Sequence, residues 1–156
     1  MLKLKSRDLP LIMFLRELPA FLGPEGETCY IEIDARAGGA VNPAYQAKLE
    51  QLGKRARVMQ KKVNKIANED EQVDFEFDGT IDLNLKWFGA IYDTCVIEWR
   101  SNIINDDAPI VCNRENFLAL TEVRVPELAK ALADFKAATE EAAKDVEKDD
   151  AATIKN

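Results

Sequence analysis

Hydrophobic and polar positions change period several times along the chain, and each change marks an element. Leu2-Lys3-Leu4-Lys5 alternates with period two, and Leu11 to Leu15 is an apolar run that suits a buried strand or a short helix, the strand being preferred. Leu22-Gly23-Pro24-Glu25-Gly26-Glu27 carries turn chemistry, because glycine tolerates positive φ and proline presets its own. Beyond it Cys29, Ile31, Ile33 and Ala35 alternate with Tyr30, Glu32, Asp34 and Arg36, the pattern of a strand with one buried face. Residues 9–37 therefore read as a β-hairpin or small antiparallel sheet.

The period then becomes helical. Gly38-Gly39 ends the strand, and Asn42-Pro43 supplies an N-cap followed by proline at the first helical position. Tyr45, Leu49, Leu52, Ala56, Met59, Val63 and Ile66 recur at alternating spacings of four and three, a heptad seam along a helix over 43–67. Its other faces are basic, with Lys48, Lys54, Arg55, Arg57, Lys61, Lys62 and Lys65 against Glu50. The next segment inverts the sign through Glu69, Asp70, Glu71, Asp74, Glu76, Asp78 and Asp82. Such a face is either solvated and partly neutralised by its acidic neighbour, or a docking surface for an acidic partner.

Gln72 to Phe77 alternates again and predicts a short strand or extended connector, broken by Asp78-Gly79 before a second helix capped by Thr80. In that helix, over 80–99, Ile81, Leu85, Phe88, Tyr92, Cys95 and Trp99 share one face, widened by Trp87, Ile91 and Val96. This is the most buried helix the pattern predicts. Residues 103–112 predict a hairpin whose turn is Asn105-Asp106-Asp107, and Asn113 caps a helix over 113–121 that turns Phe117, Leu118 and Leu120 inward. Pro126 opens a last helix over 126–138 with a stripe of Leu128, Leu132, Phe135, Thr139, Ala142 and Val146. Beyond it residues 139–156, rich in Ala, Glu, Lys and Asp, predict a charged helical or disordered tail. The expected fold is α+β: a small N-terminal antiparallel sheet or hairpin, then a mainly helical bundle with a short hairpin and a projecting C-terminal helix. Residues 1–138 form one domain. Phe88, Trp99, Phe117 and Leu132 are its expected structural anchors.

Composition narrows the chemistry. The 156 residues carry a net charge of -7, which argues against general affinity for nucleic acid, because binding phosphate requires a basic surface. The three cysteines, Cys29, Cys95 and Cys112, are widely spaced in a chain without histidine, so neither a zinc site nor a base-activated thiol is expected. Gly38-Gly39 lacks the flanking residues of a phosphate loop, and Asn105-Asp106-Asp107 lacks the ligand spacing of a calcium loop. The basic start and apolar run at the N-terminus lack a signal-peptide cleavage pattern, and no run is long enough to span a membrane. The expectation is a cytosolic, non-catalytic binding protein without a cofactor.

One stretch carries a resemblance. Val96 and Trp99, the acidic turn Asn105-Asp106-Asp107, and Asn113-Arg114-Glu115-Asn116-Phe117-Leu118-Ala119-Leu120, followed by Pro126 and Phe135, resemble the tail assembly chaperones of long-tailed bacteriophages. The likeness covers about residues 87–136. Ala108-Pro109 stands where that family usually has glycine, and the strand-rich N-terminus and basic helix lie outside the likeness. The resemblance implies a protein of the host cytoplasm, absent from the mature virion and often made also in a frameshift-extended form. Such a protein binds the helical tape measure protein and supports assembly of tail tube protein. A chaperone for a long amphipathic helix needs apolar seams with charged rims. Lys54, Arg55, Lys61 and Lys62 on the basic helix, with Phe135 and Ala142 on the last, are the expected partner-binding residues. A homo-oligomer is compatible with the sequence, which does not specify an oligomeric state. The alternative is a structural or connector protein of a phage tail or neck.

Overall fold

The computed structural model describes residues 9–123 and 125–155. The alternation at 2–5 lies outside them. Strands β1 (Leu11–Leu22) and β2 (Thr28–Arg36) pair antiparallel from Leu11 opposite Arg36 to Leu18 opposite Cys29, with an irregularity between Leu18 and Leu22. The irregularity includes Pro19, which has no N–H to give to a ladder. Gly26, at φ +80°, completes the turn between the strands. β2 is the central strand: β3 (Val96–Ser101) pairs with its other edge, Ile31 opposite Ser101 and Ala35 opposite Val96.

Between β2 and β3 the chain makes a helical hairpin of α1 (Pro43–Asn64) and α2 (Glu69–Thr94). Asn42 fixes its base: the side-chain oxygen accepts from Tyr45 N at 3.2 Å, while Nδ2 donates to the carbonyls of Ala37 and Thr94 at 3.0 and 3.1 Å. One buried amide thus ties the end of β2 and the start of α1 to the end of α2.

α2 departs from the sequence expectation at both ends. Residues 72–77 are helical instead of extended, because the cap is Asn68, whose Oδ1 accepts from Asp70 N and Glu71 N. Glu69, Asp70 and Glu71 then sit in the positive first turn. Gly79 does not break the helix, and its missing side chain makes room for Met59 of α1. The seam runs to Val63 in the last turn of α1, which ends at Asn64 instead of the expected 67 and leaves Ile66 beyond it. A helical partner along α1 covers that seam. Thr80 caps nothing; its hydroxyl donates to the Glu76 carbonyl one turn back. At the other end α2 stops at Thr94, so Trp99 lies on a strand and not on the expected helix 80–99. Val96, Ile97 and Trp99 favour a pleated surface, and the open edge of β2 supplies their ladder.

A two-residue hairpin follows, β4 (Ile104–Asn105) with β5 (Ala108–Pro109). Asp106 and Asp107, at φ 50° and 63°, form its turn, and aspartate tolerates this left-handed conformation better than most residues. α3 (Arg114–Glu122) is capped by Asn113, which accepts from Asn116 N at 2.8 Å. α4 (Pro126–Lys155) is one continuous helix. Its buried contacts pass the expected boundary at 138: Thr139 is fully buried, its carbonyl accepts from Gly38 N, and Ala143 packs where a Cβ on Gly39 would lie 2.8 Å away. Gly39 has φ +73°, so this close crossing requires glycine twice over.

The core lies between the inner face of the sheet and α3, α4 and the base of α2. Aromatic rings chain through it: Trp99 to Phe117 at 5.7 Å, Phe117 to Phe135 at 6.4 Å, and Phe135 to Phe14 at 5.6 Å, all edge to face. Trp99 Nε1 donates to the Asn113 carbonyl at 3.1 Å, which satisfies the one polar atom this ring buries.

Replacing Phe117 with alanine removes the ring at the junction of these contacts and should destabilise the fold by about 3–5 kcal/mol in urea denaturation. Asn42→Ala leaves two carbonyls without their donor and should cost about 1–3 kcal/mol. Gly53→Ala should go the other way. A Cβ there meets nothing within 4 Å in the middle of α1, so a gain of about 0.5–1 kcal/mol is expected from helix propensity.

Candidate functional site: the helical hairpin and its grooves

Because α1 and α2 leave the sheet as a pair, their far halves have little to pack on except each other. The seam residues Leu49, Leu52, Ala56 and Met59 are half-buried against α2, and Val63 is buried. At the base Trp87 Nε1 donates to the Tyr45 hydroxyl at 3.0 Å, and Lys136 of α4 lies 3.5 Å from the Trp87 ring centroid.

Large apolar residues of α2 remain outside this seam. Val73, Phe77 and Ile81 are 64%, 57% and 43% exposed. With Leu85 they stand four residues apart in succession, so they make one outward stripe. Ile81 was expected in the core and is instead part of this surface. At the base of the stripe Thr80, Ile81, Asn84 and Leu85 face Thr121, Glu122, Val123 and Ala129 across a cavity of about 440 Å³. Leu85 and Glu122 also border the adjoining hollow formed with Arg114, Leu118 and Ala119. Stripe and hollows form an apolar groove along α2 that ends against α3 and the start of α4. Its rim is acidic, with Asp70 and Asp74 on α2 and Glu115 and Glu122 on α3.

A different flank of the hairpin is basic. Lys54, Arg55, Val58, Met59 and Lys62 of α1 face Phe75, Gly79, Asp82 and Leu83 of α2 around a notch of about 400 Å³. Lys61 is exposed beside it. Nearer the base Arg114 holds Asp93 through Nε and Nη2 at 2.7 and 3.1 Å, and these hydrogen bonds raise its pKa above the usual arginine value. Lys86 pairs with Asp82 one turn away, at 2.6 Å.

The expected partner-binding residues are therefore divided. Lys54, Arg55 and Lys62 meet at the notch. Phe135 is fully buried among Phe14, Phe117 and Leu132, so it serves the core and presents no surface to a partner. Ala142 is half-buried on α4, away from both grooves. The anchors Phe88, Trp99, Phe117 and Leu132 are all buried. Sequence reasoning missed Val73 and Phe77, although Asn68 before Glu69-Asp70-Glu71 is the cap signal that would have placed them on a helix.

On the outer face of the sheet Arg100 gathers Glu32, Asp34 and Glu98 at 3.0, 3.0 and 3.1 Å. The hydrogen bonds that its guanidinium donates to Glu32 and then Asp34 raise its pKa. Among the described residues no group of His, Cys, Asp or Glu is placed to hold a metal ion, and no helix is long and apolar enough to cross a membrane. Compared with protein-family models, with curated proteins and with solved structures, the chain matches none.

Burial raises the thiol pKa of Cys29 and Cys95, which both lie in the core, and desolvation raises that of Cys112, which is exposed. A maleimide added to the native protein at pH 8 should label Cys112 alone, slowly. Cys29 and Cys95 should react only after denaturation, as peptide mass mapping will show.

Proposed function

We propose that this protein is a tail assembly chaperone of a long-tailed bacteriophage, a non-catalytic protein that holds the helical tape measure protein in the host cytoplasm and supports assembly of tail tube protein around it. The observation that carries the reading is the groove along α2. An apolar stripe of Val73, Phe77 and Ile81 stands unpaired on a helix and leads into a hollow floored by Leu85 and Val123. An amphipathic helix docks in such a groove through apolar residues three and four apart. The acidic rim favours a client with lysine or arginine beside its apolar face. The resemblance over residues 87–136 is the ground for proposing this client, and the groove is the surface proposed to receive it. A protein of this kind works during assembly and leaves before the virion is complete.

A specific feature favours the second reading, a subunit of the tail or neck. Among the described residues β1 is an edge strand, its outward residues Leu11, Met13 and Leu15 are 72%, 79% and 62% exposed, and such an edge suits sheet extension between neighbours in a particle.

Co-expression with the tape measure protein of the same phage should raise the client's soluble fraction and give a complex that co-purifies at low salt. Phe77→Asp with Ile81→Asp should weaken that complex about tenfold or more while the helical circular dichroism stays unchanged. Absence of a complex at low salt overturns the chaperone reading. Mass spectrometry of purified particles separates the two readings, because stoichiometric copies in the virion favour the structural one.

A further inference from the structure

The basic flank of the hairpin is charged in two parallel lines of opposite sign. On α1 and its C-cap, Lys54, Val58, Lys61 and Lys65 follow at spacings of four, three and four; on α2, Glu71, Phe75, Asp78 and Asp82 follow at the same spacings. Each line holds an apolar residue at its second position and charges at the others. The two lines border one flank, because Lys54 and Val58 meet Phe75 and Asp82 across the notch. Val58 and Phe75 are 52% and 38% exposed there. Among the described residues, Lys54, Lys61, Lys65, Glu71 and Asp78 form none of the ion pairs within 4.0 Å.

We propose that this flank is the interface of a two-fold homodimer, in which the hairpins of two copies close into a four-helix bundle. The surface is its own complement. A two-fold axis running along the hairpin sets α1 of each copy over α2 of the other, so the basic line meets the acidic line twice. It also gathers Val58, Met59, Phe75 and Leu83 of both copies at the centre. An axis running across the hairpin would set α1 on α1 and α2 on α2, like charge on like, so electrostatics select the first arrangement. The same comparison favours a second copy over an unrelated acidic helix. Such a helix would satisfy the lysines and bring its carboxylates against Glu71 and Asp78. Few apolar residues are exposed at the centre, so the association depends on charge and weakens as salt rises.

The dimer is independent of the client groove, which uses Val73, Phe77 and Ile81. Sedimentation velocity of the full chain at about 50 μM and low salt should show a dimer, with at least about a tenfold weaker association on going from about 50 to about 500 mM salt. Lys54→Glu with Lys61→Glu makes both lines acidic, and Asp78→Lys with Asp82→Lys makes both basic. Each variant alone should sediment as a monomer, and an equal mixture of the two should restore the dimer. Phe77→Asp with Ile81→Asp should leave the dimer intact, so loss of client binding and loss of pairing are read separately. A monomeric wild-type chain overturns the proposal and leaves the basic line to an acidic partner. A dimer indifferent to salt, a reversed variant that still dimerises alone, or folded variants that do not pair on mixing also overturn it. Circular dichroism establishes that the variants are folded.

Discussion

The central strand governs this structure. β2 turns Cys29, Ile31, Ile33 and Ala35 inward, all fully buried, and a strand buried so completely needs a ladder on both edges and a layer over its face. β1 reaches one edge through a tight turn. The other edge is filled only when the chain returns as β3, and everything between is the α1–α2 hairpin. The hairpin is thus an excursion between two adjacent antiparallel strands, launched and received at the same end of the sheet. Asn42 holds that end closed by joining Ala37, Tyr45 and Thr94, and Arg36 N adds a bond to the Cys95 carbonyl. Termination of α2 at Thr94 follows from the sheet's demand for a third strand more than from any stop signal within the helix.

Stability is accordingly uneven. Near the sheet, Phe88 and Ile91 of α2 share the aromatic core with Trp99, Phe117 and Phe135, so this half belongs to the globular unit. Farther out the hairpin rests on one seam with glycine at positions 53 and 79, and glycine in a helix interior costs about 0.5–1 kcal/mol relative to alanine. Segments with few buried apolar contacts open at lower free energy than the core. The apolar stripe and the basic notch lie on this outer half, where a bound helix would add the burial that the isolated hairpin lacks.

Much of the fold could be read from the sequence, for reasons that are local. β2 betrayed itself by strict alternation, α1 by Asn42-Pro43 and its seam, α3 and α4 by Asn113 and Pro126. The failures share a cause: periodicity records which residues are apolar but not what each one faces. Cys95 and Trp99 are four apart and both buried, which mimics a continuing helix although a strand carries the tryptophan. Phe135 belongs to an apolar stripe whether that stripe faces a partner or the core, and only the positions of Phe14 and Phe117 decide. The groove was still less accessible, since it needs Leu85 and Val123 brought together by the packing of α2, α3 and α4.

The misreading of 72–77 has the most to say about function. Val73, Phe75 and Phe77 alternate with acids, which as a strand would give one apolar face. As a helix the same residues point in different directions, Phe75 to the basic notch and Val73 and Phe77 to the outer stripe, while Gly79 and Leu83 meet α1. A helix carrying apolar residues on several sides is ordinarily surrounded by protein. Here one side is covered by the chain itself and two are open. Overall acidity conceals this, because the net charge of -7 averages a basic α1 with an acidic α2. What distinguishes the hairpin is the separation of the two signs onto neighbouring helices, an arrangement that suits the proposed self-pairing on one flank while the stripe of Val73, Phe77 and Ile81 stays exposed on the other side of α2.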